Sequence, residues 1–165
     1  MEHNHEQHHE DEGTPKEYAK FIGILIFIGL AAFLLARWQG GSFERFLMAV
    51  FFLVFGLFKL LDLPGFVMSY IGYDLIARKS TSYAYAYPFI ELFLSLGYFL
   101  NWPWINWPTF ILMSIGSIGV LRQLLRGSKI KCACLGTYVK LPLTTVSLVE
   151  DLAMGIMALL LIVKV

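Results

Sequence analysis

The sequence predicts an all-α membrane protein, with a four-helix transmembrane bundle and one extra transmembrane helix before it. Hydrophobic residues make up 58% of the 165 residues and charged residues only 15%, whereas soluble domains carry about 25% charged residues. Six of the twelve acidic residues and all four histidines fall within the first 17 positions, so the rest of the chain is more apolar still. The expected surroundings are therefore a lipid bilayer. A net charge of +1 gives no indication of nucleic-acid binding.

Five segments reach the roughly 20 apolar residues that a helix needs to cross the hydrocarbon core. The first is an extra helix, and the other four belong to a membrane domain at 43–165. The predicted crossing segments are 18–38, 43–61, 82–100, 107–125 and 143–163.

The connections between these segments also suit a membrane protein. Pro64 and Gly65 should end the second segment, and residues 66–77 should form an interfacial or re-entrant helix. Residues 101–108 contain three tryptophans and should form a tight turn in the aromatic belt. The same belt explains the alternating tyrosines at the start of the third segment, which are Tyr83, Tyr85 and Tyr87.

The N-terminal tail, residues 1–17, is rich in histidine and acid and is predicted to be disordered. Short histidine tracts bind divalent metals. His3 is also placed to complete a square-planar Cu(II) or Ni(II) site with the terminal amine and two backbone amides. A tail that only improves solubility is the alternative. The candidate metal ligands are His3, His5, His8 and His9.

The only two cysteines, Cys132 and Cys134, lie one residue apart in the polar loop 127–142. Lys129 and Lys131 flank them, and nearby cations favour the thiolate, which is both the nucleophile and the metal ligand. The pair is a candidate for a labile, strained disulfide. It is equally a candidate for binding a soft ion such as Cu(I), and two idle reduced thiols are the third possibility.

Ionisable residues inside apolar segments are costly and indicate function by default. Glu91 lies near the middle of the third segment, and Lys59 near the end of the second. Lys59 has two possible partners, Asp62 one turn further along its own helix or Glu91 across the bundle. Such a pair either fixes the packing of the helices or belongs to a proton relay. Asp151 and Glu150 lie near the start of the fifth segment, where the helix dipole favours acids; their position also suits proton transfer or cation binding beside the cysteine loop.

Three stretches resemble a known family. Residues 51–66 and 87–98 are similar to the first two core helices of DoxX-type membrane proteins, and the Cys132-Ala-Cys-Leu-Gly136 loop resembles the MauE branch. The resemblance implies a DoxX-like four-helix bundle. It also implies a redox-associated role in methylamine utilisation, where such proteins are thought to help mature or export the disulfide-rich small subunit of methylamine dehydrogenase.

Lysine and arginine positions predict the orientation. Nine of these residues lie on the side that holds the tail and the cysteine loop, and three lie on the other. The positive-inside rule places the tail and the loop in the cytoplasm of a bacterial-type inner membrane.

Three functions are consistent with these patterns. The first is a redox-associated membrane protein in which Cys132 and Cys134 pass electrons to a partner protein or a quinone, with Glu91, Lys59 and Asp151 assisting. The second is a copper- or heavy-metal-binding or transport-accessory protein, and the third is a structural membrane anchor.

Overall fold

The computed structural model describes residues 15–125 and 143–164, and within these ranges the chain is helical, without a strand. Each of the five predicted segments is a helix, and the short helix between the second and third is present as well. The helices are α1 (Pro15–Gln39), α2 (Phe43–Leu61), α3 (Leu63–Tyr73), α4 (Thr81–Phe99), α5 (Asn106–Leu125) and α6 (Leu143–Lys164).

The break between α2 and α3 arises from local sequence. α2 ends at Leu61, and α3 leaves it at an angle of 108°. The Asp62 side chain accepts a hydrogen bond from the Gly65 amide at 3.1 Å and so caps α3. Pro64 lies in the first turn of α3, where its missing N–H costs nothing. The proline therefore lies at the start of the short helix. This helix begins at Leu63, three residues before the predicted start, and ends at Tyr73.

The turns at the other end of the bundle use left-handed backbone. Gly40 follows α1 with a φ of 69°, and its amide donates to the Ala36 carbonyl at 3.0 Å. Asn101 follows α4 with a φ of 57°, a conformation that asparagine tolerates better than most residues. A short 3-10 helix, Pro103–Ile105, then leads into α5, which confirms the predicted tight turn.

The most extensive helix contacts are α5 with α6 and α2 with α4, followed by α1 with α2. The Ser95 hydroxyl of α4 donates to the Ala49 carbonyl of α2 at 2.7 Å. The extra helix α1 packs its buried Ile28 and Ala32 into the same core as α2. A second, smaller core joins α3 to the first half of α4 and to Val120 of α5.

The all-α membrane architecture is confirmed. By length and composition, Tyr18–Gln39 and Pro103–Arg122 each qualify as membrane spans among the described residues. The bent pair Phe43–Leu61 and Leu63–Tyr73 makes a third if both helices form one span. That α4 and α6 also cross the membrane stays a prediction, and so does the count of four helices plus one.

Candidate functional site

A buried ion pair joins α2 to α4. The Lys59 ammonium donates a hydrogen bond to Glu91 Oε1, and the two residues are 6% and 2% exposed. The sequence left two possible partners for Lys59, Asp62 and Glu91. In the structure Lys59 binds Glu91, which lies across the bundle. Asp62 caps α3 instead.

Close approach of the two helices brings the pair together. A Cβ atom on Gly56 would lie 3.1 Å from the Leu92 side chain and 3.3 Å from the Pro88 carbonyl. The absence of a side chain at Gly56 therefore lets α2 approach α4 one turn before Lys59. The long lysine side chain then reaches the carboxylate from the end of α2.

Aromatic rings enclose the ammonium group. Lys59 Nζ lies 4.9 Å from the centre of the Tyr87 ring and 5.5 Å from that of Phe66. Such cation–π contacts stabilise a desolvated cation. Tyr70 packs against Tyr87 with ring centres 4.6 Å apart, and Tyr83 flanks both. These four rings form what we call the aromatic cluster: Phe66, Tyr70, Tyr83 and Tyr87.

Two further carboxyl groups interact electrostatically with this cluster, one at the end of α3 and one on α6. Asp74, which is 1% exposed, caps the end of α3 and accepts hydrogen bonds from the amides of Ile76 and Ala77 at 2.9 and 2.7 Å. Asp151 of α6 lies against α5, where a Cβ atom on Gly116 would be 3.1 Å from its Oδ2. Asp151 interacts electrostatically with Lys59, Glu91 and Asp74.

The arrangement of Gly116 and Gly119 on α5 makes these approaches possible. A Cβ atom on Gly119 would lie 3.0 Å from the Tyr73 carbonyl oxygen. Gly116 thus accommodates Asp151, and Gly119 accommodates the end of α3 immediately before Asp74. Small residues that let helices approach closely are typical of membrane bundles.

The site holds more acid than base. Among the described residues, one lysine and three carboxyl groups lie in this region, and the Glu91 Oε2 and Asp74 Oδ2 atoms are buried there without a hydrogen-bond partner. The Tyr70 hydroxyl lies beside Tyr83 but also makes no hydrogen bond of normal geometry. Unionised groups cost less than unpaired charges in an apolar interior. The arrangement is therefore suited to holding protons.

The described residues do not form a metal centre. They contain no group of three or more histidine, cysteine, aspartate or glutamate residues that is arranged to hold a metal ion. The predicted metal ligands lie outside the described residues, so the metal hypothesis stays a prediction. Those ligands are His3, His5, His8, His9, Cys132 and Cys134.

Three of the candidate residues from the sequence lie in one region. Lys59 and Glu91 form the ion pair, and Asp151 interacts electrostatically with both. The predicted redox pair, Cys132 and Cys134, lies outside the described residues. In sequence, residues 126–142 connect the end of α5 to the start of α6.

The aromatic belt was the wrong interpretation for Tyr87. Tyr87 is 6% exposed and faces Lys59, whereas Tyr85 is 45% exposed and suits a belt position. Tyr83, Tyr87 and Glu91 recur every four residues, and this spacing on one helix face was the pattern that could have identified them. No comparable pattern marked Asp74, because its burial depends on α5 packing against the end of α3.

Residues 41–164 match the model of a protein family described as methylamine utilisation protein MauE. The chain belongs to the MauE family. The matched region includes Lys59, Glu91, Asp74, Asp151 and both cysteines, while the tail and the whole of α1 precede it. No curated protein and no solved structure matches the chain. The predicted resemblance to the MauE family is thereby confirmed, and it links this membrane protein to methylamine utilisation.

Proposed function

We propose that this MauE-family protein passes electrons between Cys132 and Cys134 and a partner protein, and that the buried cluster around Lys59 and Glu91 handles the accompanying protons. One observation carries the proposal. A desolvated ion pair with surplus carboxyl groups lies within the family region. Asp151 lies in the first half of α6, and Asp74 lies beside Gly119 in the second half of α5, so both are near the helix ends that residues 126–142 connect in sequence.

The redox step is thiol–disulfide exchange. The thiolate of one cysteine attacks a sulfur of a partner disulfide, the partner S–S bond breaks, and a mixed disulfide forms. The second cysteine thiolate attacks the mixed disulfide. A Cys132–Cys134 disulfide and a partner dithiol result. Two electrons pass to the partner, and the two protons lost by the cysteine thiols end on the partner thiols.

The proposed role of the cluster follows from this proton balance. Each cysteine must lose a proton before it attacks, because the thiolate is the nucleophile. Lys129 and Lys131 favour that loss electrostatically. The carboxyl groups of Glu91 and Asp151 offer acceptors, and Lys59 moderates the cost of a negative charge on them.

Partner maturation in a bacterium that grows on methylamine tests the redox step. Because this step reduces a partner disulfide, we expect Cys132→Ser with Cys134→Ser to leave wrongly paired disulfides unreduced in the small subunit of methylamine dehydrogenase, measured by mass spectrometry of its disulfides. The single variants should accumulate a mixed disulfide with the partner. Unchanged maturation in the double variant would refute the proposal. So would cysteines that never oxidise in the cell.

The role of the cluster has its own test. Glu91→Gln removes the carboxylate but keeps an amide oxygen that accepts from Lys59, so this variant should fold, although it should be less stable than wild type. We expect a slower rate of exchange with a shifted pH profile in purified full-length protein reacted with a disulfide reagent. Lys79→Gln, which changes an exposed lysine in the link between α3 and α4, should leave the profile unchanged. An identical pH profile for Glu91→Gln and wild type would exclude the cluster from proton transfer.

A further inference from the structure

A second polar site lies at the opposite end of the bundle from Asp74. It is a pocket with a volume of about 510 Å³, between the α1–α2 link, the α4–α5 turn and Leu161 near the end of α6. Its lining does not include Lys59, Glu91, Asp74 or Asp151, so this pocket is separate from the cluster proposed to handle protons.

Three polar groups in this pocket make no hydrogen bond of normal geometry to the part of the chain that the structure describes. They are Arg45 Nε, the Tyr98 hydroxyl, which lies beside Thr109, and Asn106 Oδ1, and all three atoms are buried. Tyr98 is 2% exposed and Asn106 6%. Buried polar groups in native proteins are nearly always satisfied. Two unsatisfied donors and one unsatisfied acceptor that line one pocket therefore indicate a polar ligand.

The polar and charged side chains around the pocket indicate which chemical groups its ligand carries. The Arg45 guanidinium packs 4.5 Å from the centre of the Phe46 ring and takes part in no ion pair among the described residues. Arginine is the residue best suited to phosphate, and the Tyr98 hydroxyl supplies a second donor. Asn106 Oδ1 is a buried acceptor in the same lining, so a ligand with an N–H donor beside its phosphate fits better than a simple anion.

The position of the pocket indicates where such a ligand comes from. Trp102 lines the pocket and stacks on Trp104, with ring centres 5.5 Å apart. Trp104 and Trp107 are more than half exposed, as expected for tryptophans at the level of lipid head groups. A phospholipid head group in the adjoining leaflet would lie at this depth.

We propose that this pocket binds the head group of a phospholipid that carries a primary ammonium, of the phosphatidylethanolamine type. Arg45 and Tyr98 donate to the phosphate. Asn106 Oδ1 accepts from the ammonium. A quaternary ammonium has no N–H to donate to Asn106, so the pocket discriminates against phosphatidylcholine.

Native mass spectrometry of the full-length protein released from detergent micelles tests this proposal. We expect phosphatidylethanolamine to bind about tenfold more tightly than phosphatidylcholine with the same acyl chains. A hydrogen bond to a charged group accounts for about a tenfold change. Arg45→Gln and Tyr98→Phe should each weaken binding about tenfold. Arg37→Gln, an exposed arginine in the last turn of α1, should leave binding unchanged.

Tyr98→Phe is the stricter variant, because it keeps the ring that stacks on Phe52 with centres 6.2 Å apart. Equal binding of the two lipids, or full binding by Tyr98→Phe, would overturn the proposal. O-phosphoethanolamine, the soluble head group, should bind far more weakly than the lipid. If it binds with the same affinity, the ligand is a free phosphate compound and the assignment to a lipid is wrong.

Discussion

Removal of the Lys59 charge should be strongly destabilising. Lys59→Met has a similar length, yet it leaves the Glu91 carboxylate buried without its cation. Two unit charges 4 Å apart interact by about 4 kcal/mol at an effective dielectric constant of 20, and breaking a buried pair typically costs about 3–5 kcal/mol. Both residues are less than 10% exposed, so solvent screening does not reduce this figure. We expect the free energy of unfolding to fall by about 3–5 kcal/mol.

The double variant Lys59→Met with Glu91→Leu separates charge from packing. With both charges removed, an apolar pair of similar volume is left between α2 and α4, and such replacements are often neutral or stabilising. We expect the double variant to lie within about 1 kcal/mol of wild type. The coupling energy in the double-mutant cycle should then exceed about 3 kcal/mol.

Reversible unfolding by sodium dodecyl sulfate in mixed micelles, followed by circular dichroism, measures these differences. Lys79→Met is the matched control, because it makes the same change at an exposed position and should stay within about 0.5 kcal/mol of wild type. The reasoning is refuted if Lys59→Met costs less than 1 kcal/mol. It is also refuted if the double variant costs the sum of the two single changes.

Three further outcomes are expected. Gly119→Ala should destabilise the protein by about 1–3 kcal/mol in the same unfolding assay, because its Cβ would lie 3.0 Å from the Tyr73 carbonyl oxygen. Gly23→Ala should not destabilise it, because a Cβ there would meet no atom of the described residues within 4 Å. Ser95→Ala should cost about 1 kcal/mol, since it removes the buried hydrogen bond to the Ala49 carbonyl, and no loss would show that this bond is not stabilising. A membrane-impermeant maleimide should fail to label the two cysteines in intact cells, even after reduction, and should label them after lysis; labelling from outside would reverse the predicted orientation.

The helices were predictable because each depends on a local property of the chain. A run of about 20 apolar residues must satisfy its backbone hydrogen bonds internally in lipid, so it becomes a helix whatever surrounds it. The turn at residues 101–108 followed from its asparagine, prolines and tryptophans. The start of α3 was placed too late, since Asp62 and Pro64 cap that helix rather than merely ending α2.

The candidate site was predictable only in part. Lys59, Glu91 and Asp151 stand out because ionisable residues are rare within apolar segments. The sequence left two partners open for Lys59, and it left Tyr87 indistinguishable from its exposed neighbour Tyr85. Both questions depend on which face of α4 meets α2, and the approach at Gly56 settles that.

The sequence by itself determined that this is a helical membrane protein, where its helices lie, and that it resembles the MauE family, because composition and apolar length are properties of single segments. Only the tertiary structure decided that Glu91 rather than Asp62 binds Lys59 and that aromatic rings enclose the ammonium. It also decided that Arg45, Tyr98 and Asn106 meet in one pocket. Those outcomes depend on how helices distant in sequence pack, and no local pattern records the rotation or depth at which one helix meets another.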